Sequence, residues 1–363
     1  LAFQPFCTAV LAGIHPGRVF VDDPDHPRTA IVTRNDAWCF LAGDPENDAF
    51  NQALNRAIWK REIGTEALPS LLFTCHPGDW HGRLEMVLAP RQPIPARRRH
   101  YVCHEMDYDW RAALPDGFSI HRMDGALLAQ ADLTIPNEVA ETLKKWEASL
   151  GGGLYDLGFV AIHDGSGKGP AEVVSWATVD AIVDGAGDTG LVTLPQYRRR
   201  GLATVTTAAA LEYALAHGVS AVHWTCAEGN RGSIRTAEKL GLERQADYTL
   251  YFLVFDEAQH LGNWAYTHLM ARRYQDAAGL LEQILTLPGE RPPWIYHDAA
   301  QAWAGLGQMD RALEYLHAAA DQGWTDADGT QACEEFEALH GSPEWATVLE
   351  RMQGHGPEQD AGP

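Results

Sequence analysis

TGLVTLPQYRRRGLA, Thr189 to Ala203, is the stretch on which the reading of the whole chain turns. Leu191, Val192, Thr193 and Leu194 form an apolar, β-rich run. It stops at Pro195, which has no N–H to offer a sheet. Arg198, Arg199 and Arg200 then meet Gly201. A helix-forming run, Thr204 to His217, starts at once and ends at Gly218. Strand, basic glycine turn and helix make an anion site. The N–H groups of the turn and the positive end of the helix aim at one point, and the arginines add charge. Gly201 and Ala203 keep bulk away from a pyrophosphate there. A surface turn that only caps a helix is the plainer reading of the same residues. No GxxxxGK[ST] occurs, so a P-loop site is unsupported; Gly185-x-Gly187-x-x-Gly190 spells GxGxxG but leads into the β-rich run Leu191–Leu194 and not into a helix, so a dinucleotide fold is unsupported too.

A second pattern follows a strand-like run, Ala221 to Cys226. It reads Asn230-x-x-Ser233-x-x-x-Ala237-x-Lys239-x-Gly241-Leu242. Asn230 has the chemistry of a helix N-cap, and Gly241 that of the residue just past a helix end. Arg198-x-x-Gly201-x-Ala203 resembles the acyl-CoA loop of GNAT-type N-acetyltransferases. The Asn230–Leu242 pattern resembles their second motif, at the same spacing and in the same order. The resemblance spans roughly residues 116–256. WTCAEGNRGSIRTAEKLGL is most similar to the group that includes zwittermicin-resistance acetyltransferases.

The resemblance implies an α/β fold, a mixed central sheet with flanking helices, in which the central strand and the next one splay apart. Acetyl-CoA, as cosubstrate, would enter that gap. The backbone of Val192, Thr193 and Leu194 would pair with its pantetheine. The loop Arg198, Arg199, Arg200, Gly201, Leu202, Ala203 and Thr204, with Asn230 and Ser233, would hold the rest. A backbone N–H near Leu194 would polarise the thioester carbonyl.

The acceptor ammonium must lose a proton before attack, so a carboxylate or histidine is needed within reach. Glu172, Asp180, Asp188, His163 and His223 are candidates. Asp188 precedes the organising strand, and His223 lies mid-strand beside the expected splay. Asp188 could equally be a turn residue after Gly187, and His223 a hydrogen-bonded strand histidine. In many relatives the acid that protonates the leaving thiolate is the tyrosine of the second motif. That position is Ala237 here. A donor would then come from Tyr248, Tyr251, Cys226 or water, or none is used. Lys239 reads as a structural cation at a helix end.

Composition narrows the partners. The 363 residues carry a net charge of −21 with an isoelectric point near 5.1. That disfavours nucleic acid and anionic membranes, which need a basic face. The other dense basic run, Arg97 to Arg99, precedes a β-like stretch and reads as a solvated face. Six cysteines are spread along the chain without a CxxC, which suits free thiols in a reducing cytoplasm. No apolar run approaches the ~20 residues that span a bilayer. The N-terminal LAFQPFCTAVLAG lacks the basic start of a signal peptide. No HExxH, Cys/His cluster or GxSxG occurs, so neither a metal site nor a serine hydrolase is expected.

Three regions are expected. Residues 1–115 alternate strands (Ala30–Thr33, Trp38–Leu41, Leu71–Cys75, His100–His104) and helices (Asp48–Ile63, His81–Leu88), with a turn at Asn35-Asp36. FLAGDPENDAF, Phe40 to Phe50, resembles the N-terminal part of the same acetyltransferase group and is expected to wall the acceptor site. Residues 116–258 hold the acetyltransferase domain. It opens with a strand from Phe118 and helices at Gly125–Asp132 and Pro136–Ser149. A glycine loop at 151–153 and a hairpin, DGSGKGPA, joining Leu157–His163 to Glu172–Val183 follow. Its last strand is Thr249–Phe255. Residues 259–363 are rich in Ala and Leu. Ala265 and Ala300, and Ala277 and Ala312, each lie 35 residues apart, near the tetratricopeptide period of about 34. From Glu257 on, the chain carries 17 acidic against 5 basic residues, and its tail from Gly354 reads as disordered. It is either an acidic helical cap or a docking surface for a protein partner.

The sequence therefore predicts a cytoplasmic, acetyl-CoA-dependent N-acetyltransferase acting on the primary amine of a small molecule, an amino-antibiotic or related metabolite. Two rivals stand beside it: a protein acetyltransferase that docks its substrate on the helical repeats, and a non-catalytic acyl-CoA-binding interaction protein.

Overall fold

The structure, a computed structural model, describes residues 4–34, 37–63, 68–148, 157–165 and 169–354. The turn at 35–36, the glycine loop at 151–153, the hairpin centre at 166–168 and the tail from 355 lie outside the described residues. The chain divides into two compact units, Leu1–Phe252 and Leu253–Pro363.

The first unit is built on one mixed sheet of 13 strands. In chain order they are β1 (Gly17–Val21), β2 (Thr29–Arg34), β3 (Trp38–Gly43), β4 (Ser70–His76), β5 (Ile94–Cys103), β6 (Phe118–Arg122), β7 (Leu133–Thr134), β8 (Leu157–His163), β9 (Ala171–Val183), β10 (Ala186–Thr193), β11 (Ala221–Ala227), β12 (Glu243–Arg244) and β13 (Tyr248–Val254). Across the sheet the order is β1-β2-β3-β4-β13-β5-β11-β10-β9-β8-β6, with β12 on β5 and β7 on β9.

One plan occurs twice in this order. Three antiparallel strands (β1-β2-β3, then β8-β9-β10) are followed by a helix and a strand parallel to the third. The helices are Asp48–Trp59 and Leu202–Ala216. Each half then closes with a further strand, β5 and β13, and these two are exchanged: β5 pairs with β11, and β13 with β4. The boundary expected at residue 115 therefore does not separate two bodies, because β5 from the first region sits between two strands of the second.

Several elements differ in extent from expectation. The helix from Asp48 ends at Trp59, where Lys60 caps it and Arg61 turns the chain with φ +61°. The helix at Gly125 stops at Leu128. β5 begins at Ile94 rather than His100; within it Arg97 stays exposed beside Glu228 and Asp247, and Arg99 is part-buried near Glu228. β10 begins at Ala186, and its pairing with β9 is irregular between Ala186 and Asp188. Gly187 lies in that irregularity, and a Cβ there would sit 2.8 Å from Val179 Cγ1.

The helix Leu202–Ala216 is apolar nearly all round and packs under the sheet with Trp224, Val222 and Ala177 in one core. Such a helix must be buried, and it is.

The second unit contains the helices Glu257–Met270, Tyr274–Thr286, Pro293–Gly305 and Met309–Asp321. Ala265, Ala277, Ala300 and Ala312 are all fully buried in its core. Phe336, Trp345 and Met352 from the segments Glu334–Leu339 and Pro343–Gly354 complete that core. Among the described residues no helix is long and apolar enough to cross a membrane.

Candidate active site

β10 and β11 run parallel through only three register pairs, Ala186↔Ala221, Gly187↔Val222 and Asp188↔His223. Beyond Asp188 they part. β3 and β4, the corresponding pair of the other half, keep register through Trp38↔Leu72 to Ala42↔His76 and leave no gap. A cavity of about 930 Å³ fills the space between β10 and β11. Its walls are Thr189 to Thr193 on one side, Trp224 to Ala227 with Arg98 on the other, and the loop and two helix starts at the open end.

The loop is shaped by its sequence. After Leu194, Pro195–Tyr197 makes one 3₁₀ turn. Arg199 (φ +62°) and Gly201 (φ +84°) both adopt left-handed backbone, which aims successive N–H groups inward and starts the helix. A Cβ on Gly201 would touch nothing within 4 Å, so the space before the turn is open. Arg198 Nε donates to the Thr193 carbonyl at 3.2 Å and ties the loop to its strand. The first N–H groups of the helix have no partner within it. Opposite, Asn230 caps the helix Arg231–Lys239 by accepting from Ser233 N at 3.1 Å. Ser233 Oγ accepts from Trp224 Nε1 at 3.0 Å, which locks this helix to β11.

Of the predicted cofactor residues, Val192, Thr193, Arg198, Arg199, Gly201, Leu202, Ala203, Thr204, Asn230 and Ser233 line the cavity. Arg200 and Leu194 do not. Arg200 lies over the Tyr197 ring at 5.3 Å. The N–H of Leu194 is taken by the Val174 carbonyl at 2.9 Å, so it has no proton left for a thioester. Since Leu194 points its N–H at β9, the alternation of the strand turns those of Leu191 and Thr193 toward the gap. That edge, and not Leu194, presents N–H groups to the gap.

The acid–base candidates separate into two groups. Asp188 and His223 stand side by side at the point where the strands part. Asp188 is partly exposed, yet enough protein surrounds its carboxyl for burial to push its pKa up to about 7, against the pull of Arg34, Arg98 and the Thr189 N–H. His223 Nδ1 lies 2.9 Å from Nε2 of the buried His100, and the rings stack at 5.2 Å. Burial and the charge of His223 hold His100 down at about 4, and burial followed by His104 lowers His223 as well. The pair is therefore neutral near pH 7. Asp180 is opposite Asp188 on β9 and accepts from Thr178 Oγ1 at 2.6 Å.

Glu172 and His163 lie at the other end of the sheet, paired across β8 and β9. Glu172 accepts from Tyr197 OH at 3.1 Å and braces the loop. Tyr251 is bonded to His81 and lies outside the cavity lining. Tyr248 sits opposite Arg98 on β13, one strand farther from the gap. Cys226 lines the cavity but belongs to the core with Trp224. Ala237 is fully buried in that core, and Lys239 Nζ rests over Tyr108 at 5.6 Å.

Arg98, Thr225, Arg235 and Thr236 also line the cavity and were not read from the sequence as site residues. Arg235 and Thr236 follow Ser233 on the same helix, so its motif was the available signal. Arg98 carried none, since only the pairing of β5 with β11 brings it there. Among the described residues no cluster of three or more His, Cys, Asp or Glu could hold a metal.

The family model for GNAT acetyltransferases matches residues 3–251. An uncharacterised N-acetyltransferase of Bacillus subtilis, YdfB, is 23% identical over 247 residues, covering 68% of this chain and 89% of its own. A GCN5-related N-acetyltransferase-like protein from Streptococcus suis is 22% identical with a TM-score of 0.46, over 69% of this chain and 92% of that one. A GCN5-related N-acetyltransferase from Kribbella flavida is 16% identical with a TM-score of 0.47, over 70% and 95%. With the family model spanning more than half the sequence, this chain belongs to the GNAT acetyltransferase family and is an acyltransferase.

Proposed function

We propose that the protein transfers an acetyl group from acetyl-CoA to the primary amine of a small molecule, by direct attack of the amine on the thioester. The observation that carries this reading is Asp188. Its pKa is raised to about 7, and it stands on the last register pair before β10 and β11 part, one residue before Thr189, where the lining of the cavity begins; the loop at the cavity's other end is basic and lined with N–H groups. The residues fit acetyl-CoA: a left-handed turn with open space before Gly201, Arg198 and Arg199 in the wall, and the free edge of β10 between loop and Asp188. Bound there, acetyl-CoA supplies the activated acyl group.

The chain's own residues do the rest. Asp188 takes a proton from the acceptor ammonium and leaves a neutral nucleophile. The neutral His223–His100 pair offers that proton a hydrogen-bonded path away from the gap. The Leu191 and Thr193 N–H groups orient a carbonyl lying along the strand. The likeness of WTCAEGNRGSIRTAEKLGL to the zwittermicin-resistance group supports an amino-antibiotic or related metabolite as acceptor. The buried alanines at a 35-residue spacing support a tetratricopeptide-like reading of the second unit.

Calorimetric titration with acetyl-CoA, beside Gly201→Glu, tests the site. The glutamate strains a left-handed position and sets a negative charge before the turn. Micromolar binding that falls at least a hundredfold in the variant is expected, and thiol release would then rank candidate amines. No binding to the native protein would overturn the reading.

A further inference from the structure

Three consecutive arginines on β5 meet three different surroundings. Arg97 lies 3.7 Å from Glu228 and 3.8 Å from Asp247. Arg99 lies 3.9 Å from Glu228. Arg98, between them, has no carboxylate within ion-pair distance among the described residues. One of its terminal nitrogens donates to the Thr225 carbonyl and hydroxyl at 3.3 and 3.2 Å, and its buried Nε has no hydrogen-bond partner. A guanidinium stays charged at any working pH; Asp188 is close enough to feel that charge, but among the described residues no carboxylate bonds it, so the cation is only partly compensated in the wall. Such a cation is explained by an anion that arrives during the reaction.

Its place in the fold says which anion. The parallel register Asp188↔His223 puts Gly190 level with Thr225, where Arg98 donates. That is the closed end of the cavity. The loop begins after Thr193, about 10 Å farther along β10. A molecule whose phosphates sit on the loop and whose chain follows the β10 edge brings its far end, the thioester, to the level of Arg98.

Among the described residues the other candidate donors are engaged or turned away: Tyr197, in the wall, donates its hydroxyl to Glu172 at 3.1 Å. Ala237 is buried in the core beneath the sheet. Cys226 alternates to the same core, and Tyr248 is separated from the gap by β5 itself. We propose that Arg98 is a catalytic residue that stabilises the departing CoA thiolate by its fixed charge, in place of a phenolic proton donor. The inference rests on the acetyl-CoA reading above.

The balance is as follows: the amine nitrogen bonds to the acyl carbon, the C–S bond breaks and its electron pair stays on sulfur. The nitrogen gives up two protons in all. One passes to Asp188 and on to solvent, the second leaves to solvent as the bond breaks, and sulfur regains one from solvent later. Arg98 keeps its protons throughout.

The test is the ionisation of the CoA thiol bound to the protein, followed by ultraviolet thiolate absorbance against pH, in native protein, Arg98→Met and Arg98→Lys. Native protein is expected to lower the thiol pKa by at least one unit below free CoA, a tenfold change in its acid constant. Arg98→Met should restore the free value while CoA affinity at neutral pH changes only a few-fold, and Arg98→Lys should fall between. Turnover should drop on the order of 10²-fold in the Met variant. Equal thiol ionisation in native and Met proteins that both bind CoA would overturn this inference alone. Failure of the native protein to bind CoA would instead overturn the acetyl-CoA reading. If Arg98→Met does not fold, the native titration decides, since an unshifted thiol there sinks the role of Arg98.

Discussion

At the residue scale, Asp188 is the proposed proton acceptor. Burial raises its pKa from 3.8 to about 7, and only the ionised form accepts a proton. The rate at limiting acceptor should therefore climb with pH through about 7 and level off above it. Asp188→Asn should lower kcat/KM by about 10²–10⁴-fold and flatten that rise. Stability gives an independent check with a definite sign. Because the folded pKa lies above the unfolded one, folding favours the neutral carboxyl. Native stability is then lost as pH rises from about 4 through about 7. The Asn variant, neutral at every pH, should melt above native protein at pH 8, with the difference closing toward pH 4. A melt that is lower at pH 8 would show the carboxylate to be held by attraction instead. His100 has the opposite sign. Held at about 4 against an ordinary 6.5, it withholds a proton that the unfolded chain accepts, and stability falls as pH drops between those values.

At the scale of elements, the site is two helix starts facing each other across a parted strand pair. The helix Leu202–Ala216 starts from the left-handed Gly201, and the helix Arg231–Lys239 from the Asn230 side chain. Gly241 (φ +73°) ends the second, with Leu242 N reaching back to the Ala237 carbonyl at 3.1 Å. Asn230→Ala removes an acceptor from Ser233 N and should cost about 1 kcal/mol. The melting temperature should fall by roughly 2 °C. Asn230, Ser233, Arg235 and Thr236 line the cavity, so acetyl-CoA affinity should weaken several-fold in the same variant. Unchanged affinity together with the lower melt would confine Asn230 to capping.

The whole molecule depends on the exchange of closing strands. β5 pairs with β11 from Val222↔Cys103 to Ala227↔Arg98 and with β13 from Tyr248↔Arg98 to Phe252↔Ile94. A chain starting at residue 116 would expose both strands along those edges and lose Arg98 and His100. It is expected to show no cooperative thermal transition, in contrast to the full chain. A fragment that melts cooperatively and binds acetyl-CoA would show the first half to be dispensable. That half has the plan of the second without its cavity: β3 and β4 never part, and its loop Gly43–Asn47 carries Asp44 and Glu46, engaged with Arg28 and Arg83, where the second has arginines. It contributes β5, which lies between β13 and β11.

The amino-acid sequence by itself determined the loop, both helix starts, the membership of the family and most of the strands, because each rests on local chemistry. Proline ends a ladder, glycine takes a left-handed turn, and an asparagine caps the helix that begins beside it. Asp188 and His223 were also legible as candidates, since each stands a fixed step from a motif. Only the tertiary structure decided which of five acid–base candidates stand at the gap, that the Leu194 N–H is already spent on Val174, and that Arg98 belongs to the cavity rather than to a solvated face. The physical reason is common to all three. Strand pairing joins residues that are apart in the sequence, by 127 positions for Arg98 and Thr225, and burial, which sets the charge of Asp188 and His100, is a property of everything packed around a group and of no stretch of sequence alone.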